Sequence, residues 1–265
     1  MYRRSDRTYK CALITGASRG LGRAYAQGLS PETRILLTGR DEAALGEAAG
    51  MLQAEGRDVE VITADLATAD GRDSVIRRAE AEGIDLLVNN AGIGTYGAFM
   101  DAPMERHEAV ISVNITAVLA LTHALVPTLV ASAEAQRRRA ALITISSSLA
   151  FVPVPQFATY AASKAFILSF GEALAAELAG EPLDVLTVCP GPTRTEFGQN
   201  AGYEGGDLPG AIAPERVVEA TYGAIGRQRT LVIDPLSKVA FGPAAFARNA
   251  ISEVVNRAGR LRTGS

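Results

Sequence analysis

The chain has 265 residues, of which 48% are hydrophobic and 21% charged, and a formal net charge of −3. A chain this long can bury a core of its own, so it needs no disulfide or metal staple. The charge gives no reason to expect nucleic acid, because the basic clusters Arg3–Arg4 and Arg137–Arg139 are short and read as solvated surface.

In chain order, Cys11–Thr15 (CALIT) reads as a strand, Gly16–Gly22 as a glycine-rich turn and Arg23–Leu29 as a helix. Arg34–Thr38 is a second strand, and a helical segment spans about Asp41–Gly56. Asp58–Thr63 is a third strand leading to Asp65, and a polar helix covers about Asp70–Glu82. Leu86–Asn89 is a fourth strand, and the uncharged stretch Ala109–Ala133 is a long helix. Ala141–Ser146 is a fifth strand, Tyr160–Ala179 a helix, Asp184–Cys189 a sixth strand and Thr230–Ile233 a seventh. Ala201–Ile212 reads as a glycine-rich loop that could form a lid. The tail after Ser237 is expected to end in a disordered LRTGS.

The strands are continuous apolar runs, as parallel strands covered on both faces require. Their alternation with helices predicts a doubly wound, Rossmann-like α/β fold with about seven parallel strands. The Ala109–Ala133 stretch is long enough to cross a bilayer. However, Ser112, Asn114, Thr116, Thr122, His123, Pro127 and Thr128 make that costly. It reads instead as a helix buried on most sides, within the protein or at a subunit contact, and no membrane span is expected. The N-terminal MYRRSDRTYK has no apolar core and does not read as a secretory signal. Cys11 and Cys189 lie in apolar strands far apart, which suits buried free thiols in a reducing, cytoplasmic setting. No HxxxH or Cys/His cluster suggests a metal.

The segment Gly16-Ala17-Ser18-Arg19-Gly20-Leu21-Gly22 lies between a strand and a helix. Glycines there allow a tight turn and close approach of a pyrophosphate, and the helix N-terminus offers free N–H groups and positive dipole. With Thr15 the spacing is TGxxxGxG, at the first strand–helix junction. Further on come Asp65-Leu66, Asn89-Asn90-Ala91-Gly92, Asn114, Ser147, Tyr160-Ala161-Ala162-Ser163-Lys164 and Pro190-Gly191. In this order and spacing the chain resembles the short-chain dehydrogenase/reductase family from about Lys10 to Ile233. The resemblance implies a single dinucleotide-binding and catalytic domain, placed at 10–236, with extensions at 1–9 and 237–265.

An Asp closing the second strand would accept from a free ribose 2′-OH and repel a 2′-phosphate. Gly39-Arg40 stands there instead, and Arg19 lies in the glycine turn. Two guanidiniums suit a phosphate dianion, and in the resembling family basic residues at these positions go with NADP(H). The alternative is that both are ordinary surface residues. By the same resemblance Asp65 hydrogen-bonds the adenine with Leu66 beside it. Asn89, Ala91 and Gly92 form a strand-end motif that stabilises the sheet and lines the cofactor site, a role that is partly structural. Pro190, Gly191, Thr193 and Thr195 hold the nicotinamide carboxamide. Thr193 departs from the family, which often has an aliphatic residue there.

Tyr160 and Lys164 are four apart on a helix and share a face. Bringing a phenol from a pKa near 10 to about 7 needs roughly 4 kcal/mol. An ammonium about 4 Å away, at an effective dielectric of about 20, supplies about that much. By resemblance, Ser147 polarises the substrate oxygen, Tyr160 exchanges a proton with it, Lys164 lowers the tyrosine pKa and holds the nicotinamide ribose, and Asn114 positions a relay water. Ser146 and Ser148 flank Ser147, but only Ser147 stands at the family's spacing of thirteen residues before Tyr160. Met100, Met104, Phe151, Phe157, Phe197 and Tyr203 could line a substrate pocket or be generic packing. His107 and His123 read as structural.

The resemblance therefore implies an oxidoreductase that interconverts a carbonyl compound and an alcohol with NADP(H), acting as a reductase and assembled as a homodimer or homotetramer. A 3-oxoacyl thioester, a sugar-like ketone, a polyketide or a steroid would all fit as substrate. The rival readings are a dinucleotide-binding sensor without turnover and a structural subunit.

Overall fold

A computed structural model describes residues 8–203 and 210–263, with the side chains of 235, 236 and 253–263 left aside. Arg3–Arg4 and residues 204–209 of the expected loop lie outside the described residues.

The strands are β1 (Cys11–Thr15), β2 (Arg34–Gly39), β3 (Val59–Thr63), β4 (Leu86–Asn89), β5 (Ala140–Ile145), β6 (Leu183–Cys189) and β7 (Thr230–Val232). They form one parallel sheet in the order β3-β2-β1-β4-β5-β6-β7. The chain reaches outward from β1 to β3, then crosses back to place β4 on the other side of β1. That reversal opens a crevice at the carboxyl ends of β1 and β4, where ligands of such sheets bind.

The helices are α1 (Gly20–Gly28), α2 (Glu42–Gln53), α3 (Ala69–Glu82), α4 (Met104–Ile111), α5 (Ala117–Gln136), α6 (Ala158–Glu177), α7 (Phe197–Asn200), α8 (Pro214–Ala224) and α9 (Pro235–Thr263). Side chains alternate between faces along each strand. Ala12 and Ile14 of β1 join Tyr25, Leu45, Val217 and Tyr222, so α1, α2 and α8 cover that face. Cys11 and Leu13 join Val75, Leu121, Leu125 and Ala175, so α3, α5 and α6 cover the other. Both cysteines are free and buried.

Three differences from the sequence reading have physical causes. First, α1 begins at Gly20, not Arg23, because Gly20 and Gly22 are packed into the helix start rather than spent on the turn. Second, α8 was not anticipated. It starts on Pro214 with Glu215 in its first turn and buries Val217, Val218, Thr221 and Tyr222 along one stripe. Third, the expected disordered end continues as helix through Thr263, and Gly264 and Ser265 lie outside the described residues. Higher up in α9, Arg248 pairs with the buried Glu172 of α6 at 2.8 Å, and Phe241 stacks on Phe151.

The helix Met104–Gln136 is long and apolar enough to cross a membrane by composition. Its inner face packs on α3, β4 and β5, but only 39% of its most apolar window is buried. That is less than the sequence reading expected, and it leaves an apolar outer face. Between α4 and α5, Ser112–Thr116 forms a π-helical turn that carries the fully buried Asn114. Such bulges re-aim a side chain without ending the helix.

Candidate active site

The glycine turn is shaped by contacts that admit no side chain. Gly16 has φ +64°, and a Cβ there would lie 2.8 Å from the Ala91 Cα. A Cβ on Gly22 would lie 2.2 Å from the Gly16 carbonyl oxygen. The end of β4 is fastened to this turn. The Thr15 hydroxyl accepts from the Asn90 and Ala91 N–H groups at 2.9 Å each and donates to the Val88 carbonyl at 3.3 Å. Asn90 Nδ2 donates to the Thr15 and Gly16 carbonyls at 2.9 and 3.1 Å. Half-buried Ser18 and Leu21 complete the cradle at the N-terminus of α1. Its bare glycines, its helix N-terminus and its place at the crevice fit a pyrophosphate.

Asn89 takes the structural part of the expected strand-end role. It is 2% exposed and donates to Thr122 of α5 at 3.0 Å. It belongs to the strand's inner face and supports the cradle from below, whereas Asn90 touches it directly.

At the edge of the crevice, Arg19 bonds Asp41 at 3.0 Å and Glu196 at 3.3 Å. Asp41 also caps α2 by accepting from the Ala44 N–H at 3.0 Å. Arg40 is exposed and makes no ion pair among the described residues. Exposed pairs such as those of Arg19 contribute only about 0–1 kcal/mol, so a phosphate dianion can displace them. Asp65 is exposed, its Oδ1 accepts from the Ala67 N–H at 2.9 Å, and Leu66 beside it is buried.

Deeper in the crevice, the structure brings together Ser147, Tyr160, Lys164 and Asn114, all at least nine-tenths buried. The neighbouring serines separate by their bonds. Ser146 donates to the Lys164 carbonyl at 2.7 Å, and the Ser148 N–H donates to the Pro190 carbonyl at 2.9 Å. Ser147 is the serine whose side chain faces the Tyr160 hydroxyl. Burial pushes the Tyr160 phenol up to about 12, and the Ser147 hydroxyl pulls the other way. Lys164 Nζ donates to the Ile145 carbonyl at 2.9 Å and lies 5.8 Å from the centre of the Tyr160 ring. Burial lowers its pKa to about 8. The expected drop of the phenol toward neutrality is therefore not built into the ligand-free geometry. Desolvation outweighs any help from a lysine whose own charge burial disfavours.

Asn114 Oδ1 accepts from the Ile93 N–H at 2.9 Å, and its Nδ2 donates to the Ile93 carbonyl and to Ser163, each at 2.9 Å. A Cβ on Gly92 would lie 3.3 Å from Lys164 Nζ and 3.4 Å from Asn114 Oδ1. The missing side chain of Gly92 thus leaves the space where these two groups converge.

Residues 10–204 match the family model for short chain dehydrogenases. The chain belongs to the short-chain dehydrogenase family. An uncharacterised oxidoreductase of Myxococcus xanthus is 36% identical over 73% of this chain and 76% of its own length. The probable oxidoreductase EphD of Mycobacterium tuberculosis is 29% identical over 92% of this chain, which spans only 43% of that longer protein. A short-chain dehydrogenase from Sphingobium yanoikuyae, solved with NADPH, superposes with a TM-score of 0.79 at 32% identity, over 91% of this chain and 94% of that one. Other solved relatives hold NADP or NADH. This short-chain dehydrogenase is thus an oxidoreductase acting on CH–OH groups with a nicotinamide dinucleotide.

The segment after β6 reaches back over the cradle of the dehydrogenase. Thr193 Oγ1 donates to the Gly191 carbonyl at 3.1 Å, and its backbone pairs with Ile212. The Thr195 methyl lies 3.0 Å from where a Gly20 Cβ would stand. Gly191, next to buried Pro190, is packed against Asp234, whose Oδ2 lies 2.2 Å from the place of a Cβ.

Of the pocket candidates, Phe157, Phe197 and Tyr203 gather near Tyr160, and Tyr96, which the sequence reading did not single out, joins them. Met104, at the start of α4, and Met100 in the turn before it are instead exposed, and Phe151 packs under α9. His107 is held by Thr159 Oγ1 at 2.8 Å and the Phe99 carbonyl at 3.2 Å, as a structural histidine would be. Among the described residues no group of His, Cys, Asp and Glu could hold a metal.

Proposed function

We propose that this protein is an NADP(H)-dependent reductase of ketones or aldehydes. The observation that carries the reading is Tyr160, buried together with Ser147 and Lys164, beside a dinucleotide cradle whose rim offers the exposed Arg40. Gly16, Ser18, Gly20, Leu21 and Gly22 would receive the pyrophosphate, with Ala91 and Gly92 beside them. Arg19 and Arg40 would hold the 2′-phosphate, and Asp65 and Leu66 the adenine. Lys164, Pro190, Gly191, Thr193 and Thr195 would hold the nicotinamide end. Bound NADPH would supply the hydride.

The remaining steps belong to side chains. Ser147 Oγ hydrogen-bonds the substrate oxygen and orients it. Tyr160 gives that oxygen a proton as negative charge develops on it. A phenol held near 12 stays loaded at neutral pH. It still protonates a nascent alkoxide downhill, since such an oxygen is about as basic as hydroxide. Oxidation would need the phenolate, which burial disfavours in the ligand-free site. Lys164 and Asn114, converging on the space at Gly92, can hold a water that returns a proton to the phenol.

The exposed outer face of α4, with Met104 and Ile111, and the exposed Phe166 of α6 suit a homodimer or homotetramer contact. Two buried free thiols suit the cytoplasm.

The test follows cofactor oxidation by absorbance across a panel of ketones and aldehydes, with NADPH and NADH in parallel. Turnover with NADPH in preference to NADH is expected. Tight NADPH binding without turnover on any carbonyl compound would overturn the reductase reading.

A further inference from the structure

The chain carries 8 Phe and 7 Tyr, and five of those rings form one continuous run at Tyr160. Tyr203 meets Tyr96 edge-on at 5.1 Å, and Tyr96 lies 5.0 Å from Phe157. Phe157 lies 6.1 Å from Tyr160, and Phe197 lies 5.2 Å from Tyr160. The four rings that join Tyr160 in this run come from three places: the loop after β4, the residue preceding α6, and the segment after β6. All four are half-buried, and none belongs to the buried clusters that hold the sheet. Rings that do not build the core, yet are drawn together beside a proton donor, make a wall for an apolar ring.

The position of Phe197 is fixed. A Cβ on Gly94 would lie 3.1 Å from Phe197 Cζ and 3.0 Å from the Ala201 Cβ, so the bare glycine is the notch that admits the ring. The Tyr96 N–H donates to the Ala201 carbonyl at 2.9 Å, and the Tyr203 N–H to the Gly198 carbonyl at 2.9 Å. The two loops are therefore joined by main chain as well as by rings.

We propose that Phe197, with Tyr96, Phe157 and Tyr203, determines specificity, selecting carbonyl compounds that bear an aromatic or alicyclic ring over open-chain ones. This rests on the reductase reading above. A ring offers face and edge to the four aromatic side chains in one rigid unit. An open chain of equal carbon number gives up more rotamer freedom to make the same contact.

The test compares kcat/KM for acetophenone and for 2-octanone, which have the same carbon number, in wild type, Phe197→Ala and Phe197→Tyr. Wild type favours acetophenone by about tenfold or more, and Phe197→Ala lowers that ratio by about tenfold, chiefly through KM. Phe197→Tyr, which keeps the ring, keeps the ratio. A wild-type ratio near unity, or a ratio that Phe197→Ala leaves unchanged, overturns the proposal. Absence of turnover would count against the reductase reading instead. The same two ketones are therefore also titrated into Tyr160→Phe loaded with NADPH, by the change in its fluorescence. The aromatic wall predicts binding of acetophenone about tenfold tighter than of 2-octanone, and equal binding refutes it whether or not wild type reduces either.

Discussion

Gly22→Ala tests the cradle at its tightest point. The added methyl would lie 2.2 Å from the Gly16 carbonyl oxygen and 2.7 Å from Asn90 Nδ2. That is roughly 1 Å inside ordinary contact, against a backbone atom that cannot rotate away. Helix α1 must then lift from β1, straining the bonds from Asn90 to Thr15 and Gly16. Overpacking of this kind costs about 1–3 kcal/mol, and a chain of this size loses roughly 2–4 °C of Tm per kcal/mol. The displaced turn also loses one or two backbone bonds to a bound pyrophosphate, so NADPH affinity falls about tenfold to a hundredfold. Gly46→Ala is the matched control. It is exposed inside α2 with nothing within 4 Å of its added Cβ. Alanine there raises stability by up to about 1 kcal/mol and leaves cofactor affinity alone. Thermal unfolding and NADPH fluorescence titration on the two variants decide the matter. If Gly22→Ala matches wild type in both Tm and Kd, the α1–β1 contact is not the cofactor cradle.

Arg40→Asp places a carboxylate at the rim, and the ratio of NADPH to NADH affinity should fall by about tenfold or more; unchanged affinities for both would remove Arg40 from the 2′-phosphate site. Asn114→Ala strips the Ile93 N–H and carbonyl of their partners, so unfolding in urea should show a loss of about 2–4 kcal/mol, and a midpoint equal to wild type would contradict that role. Lys164→Met tests the buried ammonium through pH. Below pH 8 the lysine is charged in both folded and unfolded chains, and burial of its charge costs wild type about 3 kcal/mol. Between about pH 8 and 10.5 the folded lysine is neutral while the unfolded one still holds its proton, so that deficit shrinks as pH rises. The stability of wild type relative to Lys164→Met should therefore climb across that window, and a difference independent of pH would show that Lys164 is not desolvated.

Much of this architecture could be read from local pattern, and the exceptions are instructive. The run CALIT, the glycine turn and RILLT located β1, the cradle and β2 because apolar runs and glycine spacing are local properties. Asn89 and Asn90 were legible in type, but which of them touches the glycine turn was not. Strand parity puts Asn89 on the face of Leu87, under α5, while Asn90 falls beyond the strand end and turns to Gly16. Parity alone could have distinguished them. The α8 start at Pro214-Glu215 and its Val217/Tyr222 stripe were also available but unused. The distance between Lys164 and the phenol was not, because helical spacing puts two side chains on one face without saying which carbonyl the ammonium will choose. Nor was the aromatic wall, whose rings meet only when the loops after β4 and β6 fold together.

Tyr160 is the group expected to deliver the proton. Tyr160→Phe removes one hydroxyl and little else, so it is measured against wild type in NADPH oxidation with a carbonyl substrate, alongside NADPH binding by fluorescence. Turnover is expected to fall by about 10²–10⁴-fold while the NADPH Kd stays within about threefold. Turnover retained within about tenfold, with the same Kd, would contradict it.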